Sequence, residues 1–408
     1  MQAKSYDVVI AGGGFVGRAL ALALAKVAPG GFRVALVDAE PPGKDRDDAR
    51  ASALSAASRN LLSVLGVWPA LEANAQAITS IEITDSGLNA TLRPHLLGFE
   101  EELTPGVVAF MVENRDLHRA LAGAVRDAEA IAVLAPETAT DYRADAFRAV
   151  VTLGSGSEIE TPLLIAADGK RSRLRERAGI QCIAWSYPQV GIVTTVAHSK
   201  PHGGKAVQHF LPAGPFAILP LKGERSSIVW TEERDRARAI VERDEAGFLA
   251  ELSKRFGSRL GEIALAGPVQ SFPLDFQFAR GFVADRLALT GDAAHAVHPL
   301  AGQGLNIGFR DVAALAETIV EAARLGLDIG TAPVLERYER WRRFDSIFSA
   351  TVMDGLNRLF SSDSAPLRAL RDLGLGLVDR APQVKRFVVR EAAGTTGAVP
   401  RLLRGEML

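Results

Sequence analysis

The segment YDVVIAGGGFVGRALALALA, followed by a second apolar run ending in Asp38, most constrains how this chain can fold. Residues 7–11, an aspartate followed by an apolar and largely β-branched run, fit a buried parallel strand. Gly12, Gly14 and Gly17 then read G-x-G-x-x-G, and alanines and leucines carry a helix to about residue 27. The first glycine permits a tight turn and the second lets backbone approach a pyrophosphate. The third lets helix and strand pack closely, and the helix N-terminus supplies N–H donors and positive dipole. Residues 33–37 read as a second strand, and Asp38 ends it at the distance where an acid meets a ribose hydroxyl. Strand, glycines, helix, strand and acid together describe a nucleotide-binding unit rather than an ordinary glycine turn.

Two later fragments extend that reading: IAADGKRSRLRERAG, and LALTGDAAHAVHPLAGQGLNIGFRDVAAL. Residues 286–290 read as a short buried strand that Gly291-Asp292 ends. Asp292 there can accept hydrogen bonds from a polyol chain such as ribityl. The chain then runs through His298-Pro299 into Gly302, Gln303, Gly304, Leu305 and Asn306, and a long helix follows to about residue 325. The start of that helix would set backbone donors against the pyrimidine edge of a flavin, where negative charge gathers on reduction. Gly302 and Gly304 leave room for a flat ring. Polyol, flat ring and adenosine diphosphate add up to FAD rather than FMN or NAD. Non-covalent binding is expected, because the flavin fragments hold no cysteine.

With these three fragments in hand, the chain resembles the class A flavoprotein aromatic hydroxylases, the p-hydroxybenzoate hydroxylase-like fold, from end to end. The signatures that carry the resemblance are Gly12, Gly14 and Gly17; D-G-x-x-S-x-x-R at Asp168, Gly169, Ser172 and Arg175; and G-D at Gly291-Asp292. The resemblance implies that Asp168, Gly169 and Arg175 serve both FAD and a transient NADPH or NADH. It implies cofactor roles for Arg50, in DDARASALS, and Arg115, in ENRDLHRAL. It also implies that reduced flavin captures O2 as a C4a-hydroperoxide, which hydroxylates an electron-rich aromatic ring. Such an intermediate must be kept from water and the phenol oriented. Pro299 and the Gly302–Gly304 loop are the candidates for the catalytic wall on the oxygen side. FAILPLKGERSSIVWTEE and LRALRDLGLGLVDRAPQVKRFVVREAAG narrow the resemblance to the ubiquinone-biosynthesis hydroxylases, which oxidise polyprenylated phenols. That implies a hydrophobic phenolic substrate, O2, and other proteins of that pathway as partners.

Length, charge and cysteine content agree. A chain of 408 residues with 48% hydrophobic content can bury two cores. A formal charge of −1 offers no footprint for nucleic acid. The single cysteine, Cys182, excludes an internal disulfide framework and fits a reducing cytoplasm. No signal peptide and no membrane-spanning stretch are expected. His295 and His298 flank a turn and a proline without cysteine or carboxylate neighbours, so no metal site is expected. Residues 232–245, rich in both signs, read as a solvated helix and connector.

The expected fold class is α/β: a Rossmann-like FAD-binding domain interleaved with an antiparallel-sheet substrate domain, plus C-terminal helices. The FAD part is drawn from 1–75, 100–180 and 277–330, the substrate part from 76–99 and 181–276, and helices from 331–408. Alternation over 78–84, 205–211, 216–221 and 226–231 suggests a sheet with one face over a cavity. Gln208 and His209 fall on one of these strands. From Pro366 onward eight Lys or Arg stand against four acids. Leu367, Leu370, Leu373, Leu377, Val384, Phe387 and Val388 recur between them. Such a stripe suits docking at the inner face of a membrane, and equally packing on the FAD domain. Two other functions fit the same residues: an FAD enzyme hydroxylating a soluble aromatic or reducing a prenyl chain, and a non-catalytic flavin-binding subunit.

Overall fold

The computed structural model describes residues 4–27, 30–41, 43, 48, 50–85, 95–99, 109–296, 303–360 and 397–408. Its centre is a six-stranded sheet in the order Val283–Ala284, Leu287–Leu289, Leu164–Ala166, Val8–Ala11, Val34–Val37, Ile131–Leu134. All neighbours pair in parallel except the outermost, Val283–Ala284. Val8–Ala11 and Val34–Val37 are buried at every position, as strands covered on both faces must be. The helix Phe15–Leu22 packs against the helices Asn114–Arg126 and Gln303–Arg324. It widens into a π-turn over Ala23–Val27, matching the helix length read from the alanine-leucine run.

The second layer is a nine-stranded sheet whose long strands are Cys182–His198, Lys205–Leu211, Gly214–Leu221, Arg225–Glu233 and Gln270–Ala279. Alternation assigns its faces. Val207, Leu211, Phe216, Ile218, Ile228 and Trp230 share a core with the helices Arg234–Val241 and Glu245–Phe256. The residues between them turn the other way. The pairing is antiparallel along the long strands, but Lys205–Leu211 meets Ser80–Asp85 in parallel, so the sheet is mixed at that edge. The two layers are stitched together. His295 and Ala296, just past the Gly291-Asp292 turn, pair with Phe278 and Gln277 of the nine-stranded sheet. Gln76–Ile78 pairs instead with Ala109–Glu113 in a separate three-stranded sheet.

The charged stretch expected to be solvated has a buried anchor. Glu232 is 1% exposed and accepts from Arg255 at 2.8 Å, and Arg255 lies 4.1 Å over the Trp230 ring. The other charged residues of the stretch, on the helix Arg234–Val241 and the connector that follows it, are exposed as expected. The first part of the helix Ala332–Phe360 packs on the central layer, with Val334, Leu335 and Tyr338 in its core. Leu402 and Leu403 of the last segment are buried there too, with Asn60 Nδ2 donating to Leu403 O at 3.2 Å.

Candidate active site

A cleft of about 1090 Å³ lies between the two layers. One end is walled by the glycine-rich loop and Asp38, the other by Gly191, Val193, Leu219, Val229, Phe272 and Leu274 on the inner face of the nine-stranded sheet. It exceeds the usual range for a single drug-sized ligand and has a polar end and an apolar end.

The loop is built for close approach. Gly12 has φ +113°, and a Cβ there would come within 2.2 Å of Ala167 O, so this position must stay bare for backbone packing. A Cβ on Gly17 would come within 1.9 Å of Gly12 O, which lets the helix sit on its own turn. Gly14 differs: nothing lies within 4 Å of its would-be Cβ, so it forms open floor of the cleft. Asp38, 7% exposed, reaches the same end and accepts from Arg18 Nη2 at 3.3 Å.

Deeper in stand two carboxyl groups raised above their ordinary range. Burial pushes Asp168 up, and its Oδ1 is buried without a partner while Oδ2 accepts from Arg173 N–H at 3.1 Å. Asp292 opens into the cleft, yet desolvation by the surrounding protein raises it, against the pull of His295, Arg50 and Lys170. The orphaned Asp168 acceptor facing a polar cleft calls for a donor from a ligand. Thr290 Oγ1, also buried without a partner, lines the same space. Hydroxyl-rich and diphosphate-bearing, FAD fits this donor and acceptor set.

Arg50 lines the cleft and is gripped by Asp48 through Nε and Nη2, both at 2.7 Å, while its guanidinium lies 5.0 Å over the Phe272 ring. Burial pushes the Asp48 carboxyl up, but hydrogen bonds from Arg50 and Asn114 outweigh it and leave it below the ordinary range. Arg50 thus links the cofactor segment to the sheet floor. Lys170, paired with Asp275, and Arg171 and Arg173 add positive charge along the cleft. Gly304 and Leu305, at the start of the helix Gln303–Arg324, complete the lining.

Other expected residues are placed differently. Arg115 is exposed, pairs with Glu113 at 2.7 Å and stays out of the lining; its neighbour Asn114 faces the cleft instead. Arg175 is 5% exposed and donates to Lys170 O at 3.1 Å and Ala293 O at 3.0 Å, tying the two acidic turns together behind the cleft wall. Asn306 is also turned inward, with Oδ1 accepting from Ser55 N–H and Ser58 Oγ and Nδ2 donating to Ala53 O. The protein thus holds both ends of its amide. Gly169 (φ +84°) and Asp168 line the cleft, whereas Gly291 (φ +60°) turns behind it. His209 bonds Thr84 Oγ1 at 2.5 Å on the helix-covered face, and Gln208 points to the opposite face, where its Nε2 is buried without a partner. His295 pairs with Asp311, and among the described residues no cluster suits a metal. Pro299, Gly302 and His298 lie outside the described residues. Asn114 and Phe272 line the cleft, and Arg18 and Asp48 hold the lining residues Asp38 and Arg50; no motif spacing pointed to these four.

The family described as FAD binding domain matches residues 5–343. The chain belongs to that family, and it is an FAD-dependent monooxygenase that draws its electrons from NAD(P)H. It is 43% identical to ubiquinone hydroxylase UbiL of Rhodospirillum rubrum, covering 98% of this chain and 93% of that one. It is 37% identical to the 3-demethoxyubiquinol 3-hydroxylase of Escherichia coli, covering 97% and 100%. The solved structure of p-nitrophenol 4-monooxygenase PnpA from Pseudomonas putida shares the fold, with a TM-score of 0.77 at 18% identity, covering 97% of this chain and 100% of that one.

Proposed function

We propose that this enzyme hydroxylates the aromatic ring of a polyprenylated phenol in ubiquinone biosynthesis, with NAD(P)H and O2 as co-substrates. The observation that carries the proposal is the continuity of the cleft from the glycine loop to an apolar sheet face. A soluble aromatic needs no such apolar extent. The same continuity argues against a non-catalytic subunit, because it opens substrate space directly onto the cofactor end.

Gly14 would let the loop backbone approach the pyrophosphate while Gly12 and Gly17 shape the turn behind it, Asp38 would hold a ribose hydroxyl, and Asp168 and Asp292 the remaining hydroxyl donors. Bound FAD supplies hydride uptake from NAD(P)H and activation of O2, so that one oxygen atom enters the ring and the other leaves as water. Lys170, Arg171 and Arg173 offer charge for the phosphates of the reductant. The first turn of Gln303–Arg324, with Gly304 and Leu305, presents backbone donors to the cofactor end. Pro299 and Gly302, next to it in sequence, are our candidates for the wall that faces oxygen. Val193, Leu219 and Val229 keep water off the reacting ring. In this scheme 1–75, 100–180 and 277–330 bind cofactor, and 76–99 and 181–276 bind substrate. No helix among the described residues is long and apolar enough to cross a membrane. We place the encounter with the lipid-borne substrate at the inner face of the membrane.

Reaction of the purified enzyme with NADPH, ¹⁸O2 and a short-chain prenyl phenol tests the reading. One labelled oxygen in the ring is expected. NADPH oxidation that yields only hydrogen peroxide with every prenylated phenol, but a labelled product with a soluble aromatic acid, would replace it.

A further inference from the structure

Beneath the Gly291-Asp292 turn lies a buried ionic cluster that no contact with the cleft explains. Asp311, on the helix Gln303–Arg324, has 0% exposure. Its Oδ2 accepts from Gly291 N–H at 3.0 Å and from His295 Nε2 at 2.6 Å, and its Oδ1 accepts from Arg342 Nε at 2.8 Å. Arg342 also holds Asp345 at 2.5 Å, and Arg310 reaches both Asp345 oxygens at 3.0 Å. Two aspartates and two arginines cancel, so the cluster is closed on charge around the imidazole.

Buried ions cost desolvation, and for stability alone an apolar core would serve as well. What such a cluster provides is a fixed arrangement. Here the fixed group is the backbone N–H of Gly291, in a turn with φ +60°, and the next residue is Asp292 in the cleft. The surroundings leave no slack. A Cβ on Gly308 would come within 2.7 Å of Val16 Cγ2, and one on Gly291 within 3.1 Å of the same side chain. Helix, turn and glycine loop therefore bear on one another directly.

We propose that Asp311 is a positioning residue: gripped by Arg342 and His295, it sets where the Asp292 carboxylate stands in the cleft. The inference rests on the reading of Asp292 as a cofactor contact. Its test is a double-mutant cycle on FAD affinity, measured by flavin fluorescence on stripped and refilled protein, for Asp292→Asn, Asp311→Asn and the pair. Each single change is expected to weaken FAD binding by about tenfold, the scale of one charge-assisted hydrogen bond. If Asp311 acts through Asp292, the double variant stays within about twofold of the weaker single. Losses that multiply would overturn the inference and leave the Asp292 reading intact. An Asp292→Asn protein that binds FAD like wild type would sink both. If Asp311→Asn does not fold, Arg342→Lys keeps the buried carboxylate and should give the same non-additive pattern. The flavin midpoint potential supplies a second readout, expected to shift the same way in Asp292→Asn and in the double variant.

Discussion

Gly12 and Gly14 stand two residues apart and answer to different constraints, which single substitutions separate. At Gly12 a side chain meets Ala167 O at 2.2 Å in a backbone conformation that valine rarely adopts. Gly12→Val should therefore fail to accumulate as folded protein. At Gly14 the Cβ points into open cleft. Gly14→Val should fold with an unchanged melting temperature when flavin-free, yet lose at least about tenfold in FAD affinity, because it fills space the diphosphate needs. Equal FAD affinity in Gly14→Val and wild type would move the pyrophosphate elsewhere. Asp168 and Asp292 add a pH signature. Desolvation raises both carboxyls above their ordinary values in the folded protein. The folded state then binds protons more tightly than the unfolded one, so flavin-free protein loses stability as pH climbs from the ordinary aspartate range through the raised values. Asp292→Asn should flatten that loss, and thermal melts of the flavin-free protein between pH 4 and about pH 7 would show it. The lowered carboxyl of Asp311, where burial is outweighed by His295 and Arg342, acts in the opposite sense. Its contribution is present above the ordinary range and fades as pH falls through its depressed value.

At the level of elements, the last segment is a structural part of the cofactor layer. Leu402 and Leu403 are fully buried, Arg401 N–H donates to Glu317 at 2.7 Å, and Arg324 holds Leu408 O at 2.9 Å. Leu402→Ala should lower stability by about 2–5 kcal/mol, as large-to-small changes in a packed core do, and chemical denaturation of the holoenzyme would measure it. A loss below about 0.5 kcal/mol would mean that this end frays in solution. Elements of this kind explain what could be read in advance. The glycine loop, the Gly291-Asp292 turn and the alternating strands carry their chemistry within a few adjacent residues, so spacing alone places them. Arg175 and Asn306 sit in equally recognisable motifs, but their side chains turn to Ala293 O and to Ser55 and Ser58, partners more than a hundred residues away. Periodicity reports which face of an element is apolar and is silent on which distant group a buried charge will meet. Glu232 shows the same limit: its neighbours are charged and exposed, while its own partner comes from a later helix.

At the scale of the whole molecule, the proposed reading requires the cleft to meet a phenol that is carried in lipid. A phenol with a long isoprenoid tail partitions into the bilayer, so an enzyme that waits in bulk solvent meets almost none of it. Residues 366–408 hold twice as many basic as acidic side chains, eight against four, in a chain whose net charge is −1. Each basic residue near an anionic surface contributes roughly 1 kcal/mol of attraction, and the effect weakens with salt. Deleting everything after Asp363 would not isolate this effect, because it also removes Leu402 and Leu403 from the core. Charge reversal avoids that. Lys385→Glu with Arg386→Glu should leave FAD content and the melting temperature as in wild type. It should cut binding to anionic vesicles by at least about tenfold, with no comparable change on neutral vesicles. Turnover of a short-chain phenol in solution should be unchanged, and turnover of a long-chain phenol carried in vesicles should fall with vesicle binding. Wild-type binding to anionic vesicles that is matched by the reversed-charge protein would move the contact to another surface. Loss of flavin in the reversed-charge protein would assign these residues to the cofactor layer instead.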